Sequence, residues 1–144
     1  MSLRKSGYCP FGHSPDGTFF DNKENYVNHD NGRCDLCTKE QFIKEFGTWT
    51  SGNDEIDKVI QENQTSNSSY YYSYPLQWIP YDNFQDITHL ADGGYGTVYS
   101  TILKNGVKSY WNFNKRSWEY EWIGENVALK EIYEISEFLN EVRF

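Results

Sequence analysis

Three glycines set between two β-prone stretches constrain this chain more than any other feature. In Leu90–Tyr99 (LADGGYGTVY), Gly93, Gly94 and Gly96 follow the short strand expected at Ile87–Leu90. They precede Thr97–Leu103, which is rich in β-branched residues. Glycines allow a tight turn there and let backbone N–H groups approach a polyphosphate without Cβ obstruction. Dinucleotide-binding folds put such glycines between a strand and a helix, so a strand on both sides excludes that arrangement. A plain hairpin turn is the other reading of the cluster. Further strands follow. Asn105-Gly106 predicts a two-residue hairpin, whose central residues both need positive φ. Val107, Ser109, Trp111 and Phe113 alternate with polar residues, and Trp118, Tyr120 and Trp122 do so again. This predicts two antiparallel strands turned near Asn114-Lys115. Val127–Lys130 reads as another strand. Ile135, Phe138, Leu139 and Val142 have the spacing of an amphipathic C-terminal helix.

Upstream the pattern is different. Residues 1–37 are rich in Gly, Asn, Asp, His and Cys with little periodicity, as loops or small hairpins are. Residues 38–64 predict two helices. Thr38 and Gln41 resemble a capping box, Phe42, Ile43 and Phe46 share a face, and Gly47 suits the position after the end. The second helix starts near Asn53 or Asp54, with Ile56, Val59 and Ile60 on one face and Asp54, Glu55 and Asp57 favourably placed in its first turn. The Ser-, Asn- and Tyr-rich tract Gln64–Tyr74 opens a linker over residues 65–77. Its tyrosines are open to two readings, a phosphorylation target or a solvated connection.

Charge and composition remove several classes. With 13 Lys+Arg against 21 Asp+Glu the net charge is −8, which disfavours wrapping a phosphate backbone, so no nucleic-acid partner is expected. Aromatic residues make up 18% of the chain, enough to build a core although only 38% is hydrophobic. No run is long and apolar enough to span a membrane. The start, MSLRKSGYCPFGH, carries no apolar stretch, so no secretory signal is expected and the expected location is cytoplasmic or nuclear. On that expectation, the sequons at Asn63 and Asn67 are chance matches.

Three cysteines do not make a disulfide framework. Cys34-Asp-Leu-Cys37 has the spacing of a thiolate knuckle, and Cys9 with His13 stands upstream as C-x-x-x-H. Together they form a candidate Cys3His set for Zn2+, with His29 to spare. The other reading is a degenerate ribbon with free thiols.

Taken in order, GGYGTVY, VALK (Val127–Lys130) and the NEV of Asn140–Val142 resemble the N-terminal lobe of a protein kinase. WTSGNDEIDKVIQENQ and LQWIPYDNFQDI upstream are similar to the leader of a kinase-like family expanded in arbuscular mycorrhizal fungi. The Trp-rich stretch Asn105–Asn126 matches that family's insertion between two lobe strands. The resemblance covers most of residues 34–144 and implies an α+β fold. That fold is an antiparallel five-stranded kinase N-lobe sheet with helix C at residues 78–144, behind a small helical, cysteine-containing leader. It implies that Ala91, Asp92, Gly93, Gly94, Tyr95 and Gly96 cover the phosphates of ATP. Val98 and Ala128 would pack on the adenine, and Lys130, oriented by Glu141, would hold the α- and β-phosphates. Ala91 stands where the family has its first glycine. No H-R-D-x-x-x-x-N or D-F-G segment occurs, so the catalytic base and the Mg2+ ligands would lie in a C-terminal lobe outside this chain. The expectation is a fragment of an ATP:protein phosphotransferase that is incomplete and inactive alone. A pseudokinase-like interaction module and a small zinc-binding adaptor are the alternatives.

Overall fold

The computed structural model describes residues 7–18, 24–65, 75–94, 96–124 and 126–136. Among them the fold is α+β, with two α-helices and two antiparallel sheets of four and three strands. The chain divides into two compact units. One combines Met1–Gln77 with Lys108–Tyr120, and the other combines Trp78–Val107 with Glu121–Phe144. No helix of the described residues is long and apolar enough to cross a membrane.

The first described residues of this unit form a tight loop, in which Cys9 N–H donates to His13 O (2.9 Å) and Gly12 N–H to Cys9 O (3.0 Å). A minimal hairpin follows, β1 (Val27–Asn28) and β2 (Arg33–Cys34), and leads directly into α1 (Asp35–Lys44). The helix starts three residues before Thr38, so the expected capping box does not form. The reason is local. Asp35 N–H is taken by Tyr26 O and Leu36 N–H by Asn25 Oδ1, so the first orphan donors are satisfied from outside the helix. Thr38 lies within the helix and donates from Oγ1 to Cys34 O at 3.3 Å. Gly47 sits in a 3-10 turn, Phe46–Thr48, rather than at a left-handed cap. Phe42 is buried while Ile43 is exposed, so the apolar face of α1 is narrower than expected.

Helix α2 (Asp54–Thr65) starts where the sequence places it, with Asn53 Oδ1 accepting Ile56 N–H (3.1 Å) and Ile60 buried. Asn63 Oδ1 and Gln64 Nε2 pair with the backbone of Leu76, tying residues 75–77 to this helix.

In the second unit, β3 (Phe84–Asp92), β4 (Gly96–Leu103) and β7 (Val127–Ile132) form one sheet in that order. The other two downstream strands, β5 (Val107–Asn112) and β6 (Ser117–Glu121), leave it. They extend the β1–β2 hairpin into the order β1-β2-β5-β6, with Arg33 opposite Asn112. The single five-stranded sheet is therefore replaced by two sheets. The expected hairpin at Asn105-Gly106 is not formed either. Gly106 has φ +70, but Asn105 is not in the left-handed region, and the chain passes from one sheet to the other there. The turn near Asn114-Lys115 does join β5 and β6. Asn112 Oδ1 accepts Asn114 N–H (2.9 Å) and Lys115 N–H (3.0 Å).

The core of the first unit is small. Cys9, Cys34, Cys37 and Phe113 are its buried cluster, with Val27, Leu36 and Trp111 packed against it. Beside it Phe42 meets Trp118 (ring centroids 4.6 Å apart), and Trp118 meets Trp111 edge-on at 5.5 Å. The indole N–H of Trp118 donates to Glu45 Oε2 at 2.8 Å, which satisfies its polar edge.

Candidate metal centre

Four donors converge at the top of α1. Cys9 Sγ, Cys34 Sγ, Cys37 Sγ and a ring nitrogen of His13 all lie within 4.8 Å of one another. The loop supplies Cys9 and His13, and the hairpin end and first helical turn supply Cys34 and Cys37. His13 Nδ1 is 3.2 Å from Cys9 Sγ, 3.6 Å from Cys34 Sγ and 3.3 Å from Cys37 Sγ. Cys9 Sγ and Cys37 Sγ are 3.7 Å apart. A disulfide needs about 2.05 Å, and the cysteines are free. With Zn–S bonds of about 2.3 Å and Zn–N bonds of about 2.0 Å, a tetrahedral centre has S···S edges of about 3.8 Å and S···N edges of about 3.5 Å. These separations match those edges, so this cluster can hold a metal ion. All four corners come from the protein.

The surroundings favour thiolates. Asn25 Nδ2 donates to Cys34 Sγ at 3.2 Å, and His13 N–H donates to Cys9 Sγ at 3.3 Å. The Cys34 thiol is pulled from its ordinary 9.0 down to about 5, first by its hydrogen bond with Cys37 and then by Asn25 and the Cys37 N–H, against the opposing effect of burial. The Cys37 thiol is pushed up, because it holds the shared proton toward Cys34 and is desolvated.

The far side of the imidazole is anchored as well. His13 Nε2 lies 2.9 Å from Glu40 Oε1, which leaves Nδ1 directed at the sulfurs. Asp35, beside Cys34, is nearly fully buried. Burial pushes its carboxyl up, and Arg33 Nε, 3.1 Å from Oδ1, offsets part of that. Neither Glu40 nor Asn25 was singled out from the sequence. Glu40 lies three residues after Cys37 on one helical face, a spacing that could have flagged it. His29 packs edge-on against Phe113 at 5.8 Å and is not in the donor cluster.

The residues expected at a nucleotide site lie in the second unit. Gly93 N–H donates to Gly96 O at 2.8 Å, closing the turn between β3 and β4. Gly96 has a packing reason of its own, since a Cβ there would collide with the Glu131 carbonyl of β7. Asp92 bridges the base of the turn. Its Oδ1 contacts His89 Nε2 (3.0 Å) and accepts from Thr97 Oγ1 (2.9 Å), and these bonds hold its carboxyl below the usual range. Ala91 pairs with Val98, and Val98 stands opposite Lys130. Ala128 and Lys130, two residues apart on β7, share that face and are exposed. Gly94 is also exposed. Tyr95, Glu141 and most of the expected C-terminal helix lie outside the described residues.

Comparison with family models, with curated proteins and with solved structures finds no match to this chain.

Proposed function

We propose that Cys9, His13, Cys34 and Cys37 bind one zinc ion as a closed structural centre, and that the first unit is a zinc-stabilised module. The observation that carries this reading is the set of donor separations, which has the dimensions of a tetrahedral site. Three thiolates and one imidazole are a soft donor set suited to Zn2+. No corner is left for water or substrate, so the ion's contribution is folding free energy rather than catalysis. The ion adds to a small core, because three of the unit's buried hydrophobic side chains are the cysteines themselves. Native mass spectrometry of the purified chain tests this. One zinc per chain is expected, lost in Cys34→Ser/Cys37→Ser. Zinc below about a tenth of an equivalent overturns the reading.

A second reading rests on the shared face of Val98, Ala128 and Lys130 beside the Gly93–Gly96 turn. It makes the second unit an ATP-binding kinase N-lobe, with Lys130 on the phosphates and Glu141 as its partner. Mg2+ and phosphoryl transfer to protein Ser, Thr or Tyr hydroxyls would then depend on a further lobe. A pseudokinase-like module would keep the sheet without the reaction. Calorimetry with Mg-ATP discriminates: weak binding lost in Lys130→Ala supports the role, and equal heats for both proteins refute it.

A further inference from the structure

The β5–β6 hairpin belongs by sequence to the connection between β4 and β7, yet it is built into the unit that carries the metal centre. Asn112 pairs with Arg33 on β2, and Phe113 N–H donates to Gly32 O at 2.9 Å. Trp111 N–H donates to Thr38 Oγ1 at 3.0 Å, inside the helix that bears Cys37. Asn112 Nδ2 donates to Asn31 O (3.2 Å) and Asn114 Nδ2 to His29 O (3.1 Å). The Phe113 ring is a member of the same buried cluster as Cys9, Cys34 and Cys37. These anchors lie on the loop, ribbon or helix that presents the four donors; at its base the hairpin is also tied to Gln77, which donates from Nε2 to Lys108 O (2.7 Å) and accepts from Lys108 N–H (3.0 Å). At the other end, the hairpin's two strands run out at Val107 and Glu121. There the backbone of Gly106 lies so close to the Glu121 carbonyl that a Cβ would collide with it.

This topology has an entropic consequence. With the hairpin seated, β4 and β7 are joined through two short segments held together at Gly106 and Glu121. With it released, they are joined by one open loop, and closing an open loop costs more the longer it is. We propose that metal occupancy at Cys9, His13, Cys34 and Cys37 controls the pairing of β7 with β4, transmitted along the chain by the β5–β6 hairpin. The inference rests on the metal reading above and adds a regulatory role to it. The strand that carries Ala128 and Lys130 is formed when the metal is bound and loosens when it is removed.

The test is hydrogen exchange of the full chain, zinc-loaded and after chelation, with zinc content followed in the same samples by native mass spectrometry. On chelation, amides of residues 26–44 are expected to exchange at least about tenfold faster, and those of Val127–Ile132 about fourfold faster, the cost of opening the short connection at Gly106 and Glu121 into one long loop. The variant Asn112→Ala keeps all four donors but loses the bond to Asn31 and the cap of the hairpin turn. It is expected to retain one zinc and still show the fast exchange in Val127–Ile132. The proposal is overturned if chelation speeds residues 26–44 while Val127–Ile132 stays within about twofold. It is also overturned if Asn112→Ala exchanges there like the zinc-loaded wild type. A chain that carries no zinc at all removes the metal reading and this one with it.

Discussion

Substituting Glu40 probes the centre without touching a donor. Glu40 Oε1 lies 2.9 Å from His13 Nε2, so it fixes which ring nitrogen faces the sulfurs. Loss of such a partner typically costs 10- to 100-fold in metal affinity. The structure decides where in that range this pair falls. The Glu40 side chain is 54% exposed and that of His13 16%, so water screens the pair and can replace the carboxylate as acceptor. Glu40→Ala should therefore weaken zinc binding by about tenfold, or about 1.4 kcal/mol. Glu40→Gln keeps an acceptor oxygen without charge and should lose only about threefold. Competition with a chromophoric chelator at pH 7 reads both values, with exposed Glu55→Gln as control. An unchanged Kd for Glu40→Ala would show that the imidazole is not oriented through Nε2. A loss beyond about a thousandfold would show that Glu40 is itself a ligand.

Other consequences concern stability. Phe113→Ala should destabilise the zinc-loaded first unit by about 3–5 kcal/mol, because the ring is buried against the cysteines; a shift in the urea midpoint worth less than about 1 kcal/mol would contradict that packing. For the metal-free chain, the depressed Cys34 thiol gives stability that is complete above its ordinary 9.0 and is lost as pH falls toward about 5. The raised Cys37 thiol acts in the opposite sense, its contribution being complete below 9.0 and lost above it. The wild-type urea midpoint should thus fall more steeply than that of Cys34→Ser between pH 9 and pH 5; parallel profiles would refute the shared proton.

The four donors were legible in the sequence because coordination chemistry demands particular residue types, and the Cys34-x-x-Cys37 spacing fits one turn of a knuckle. Their supporting residues were not, since Asn25 and Glu40 are ordinary polar residues until the fold brings them to Cys34 and His13. Helix α2 was legible from Asn53 and its apolar stripe. The start of α1 was not, because its cap comes from Asn25 and Tyr26, distant in sequence from Thr38. The strands of the β5–β6 hairpin and its turn were readable from alternation. The sheet they join was not, because β2 has only two residues and offers no period to read. The Asn105-Gly106 signal pointed to a local hairpin, whereas tertiary pairing of β4 with β3 and β7 prevailed.

Cobalt substitution tests the centre most directly. The metal-free chain titrated with Co2+ should saturate at one equivalent and develop the intense visible d–d bands of a tetrahedral ion together with thiolate-to-cobalt charge transfer, both displaced by Zn2+. A pale octahedral spectrum, or bands that survive unchanged in Cys34→Ser/Cys37→Ser, would contradict the Cys3His centre.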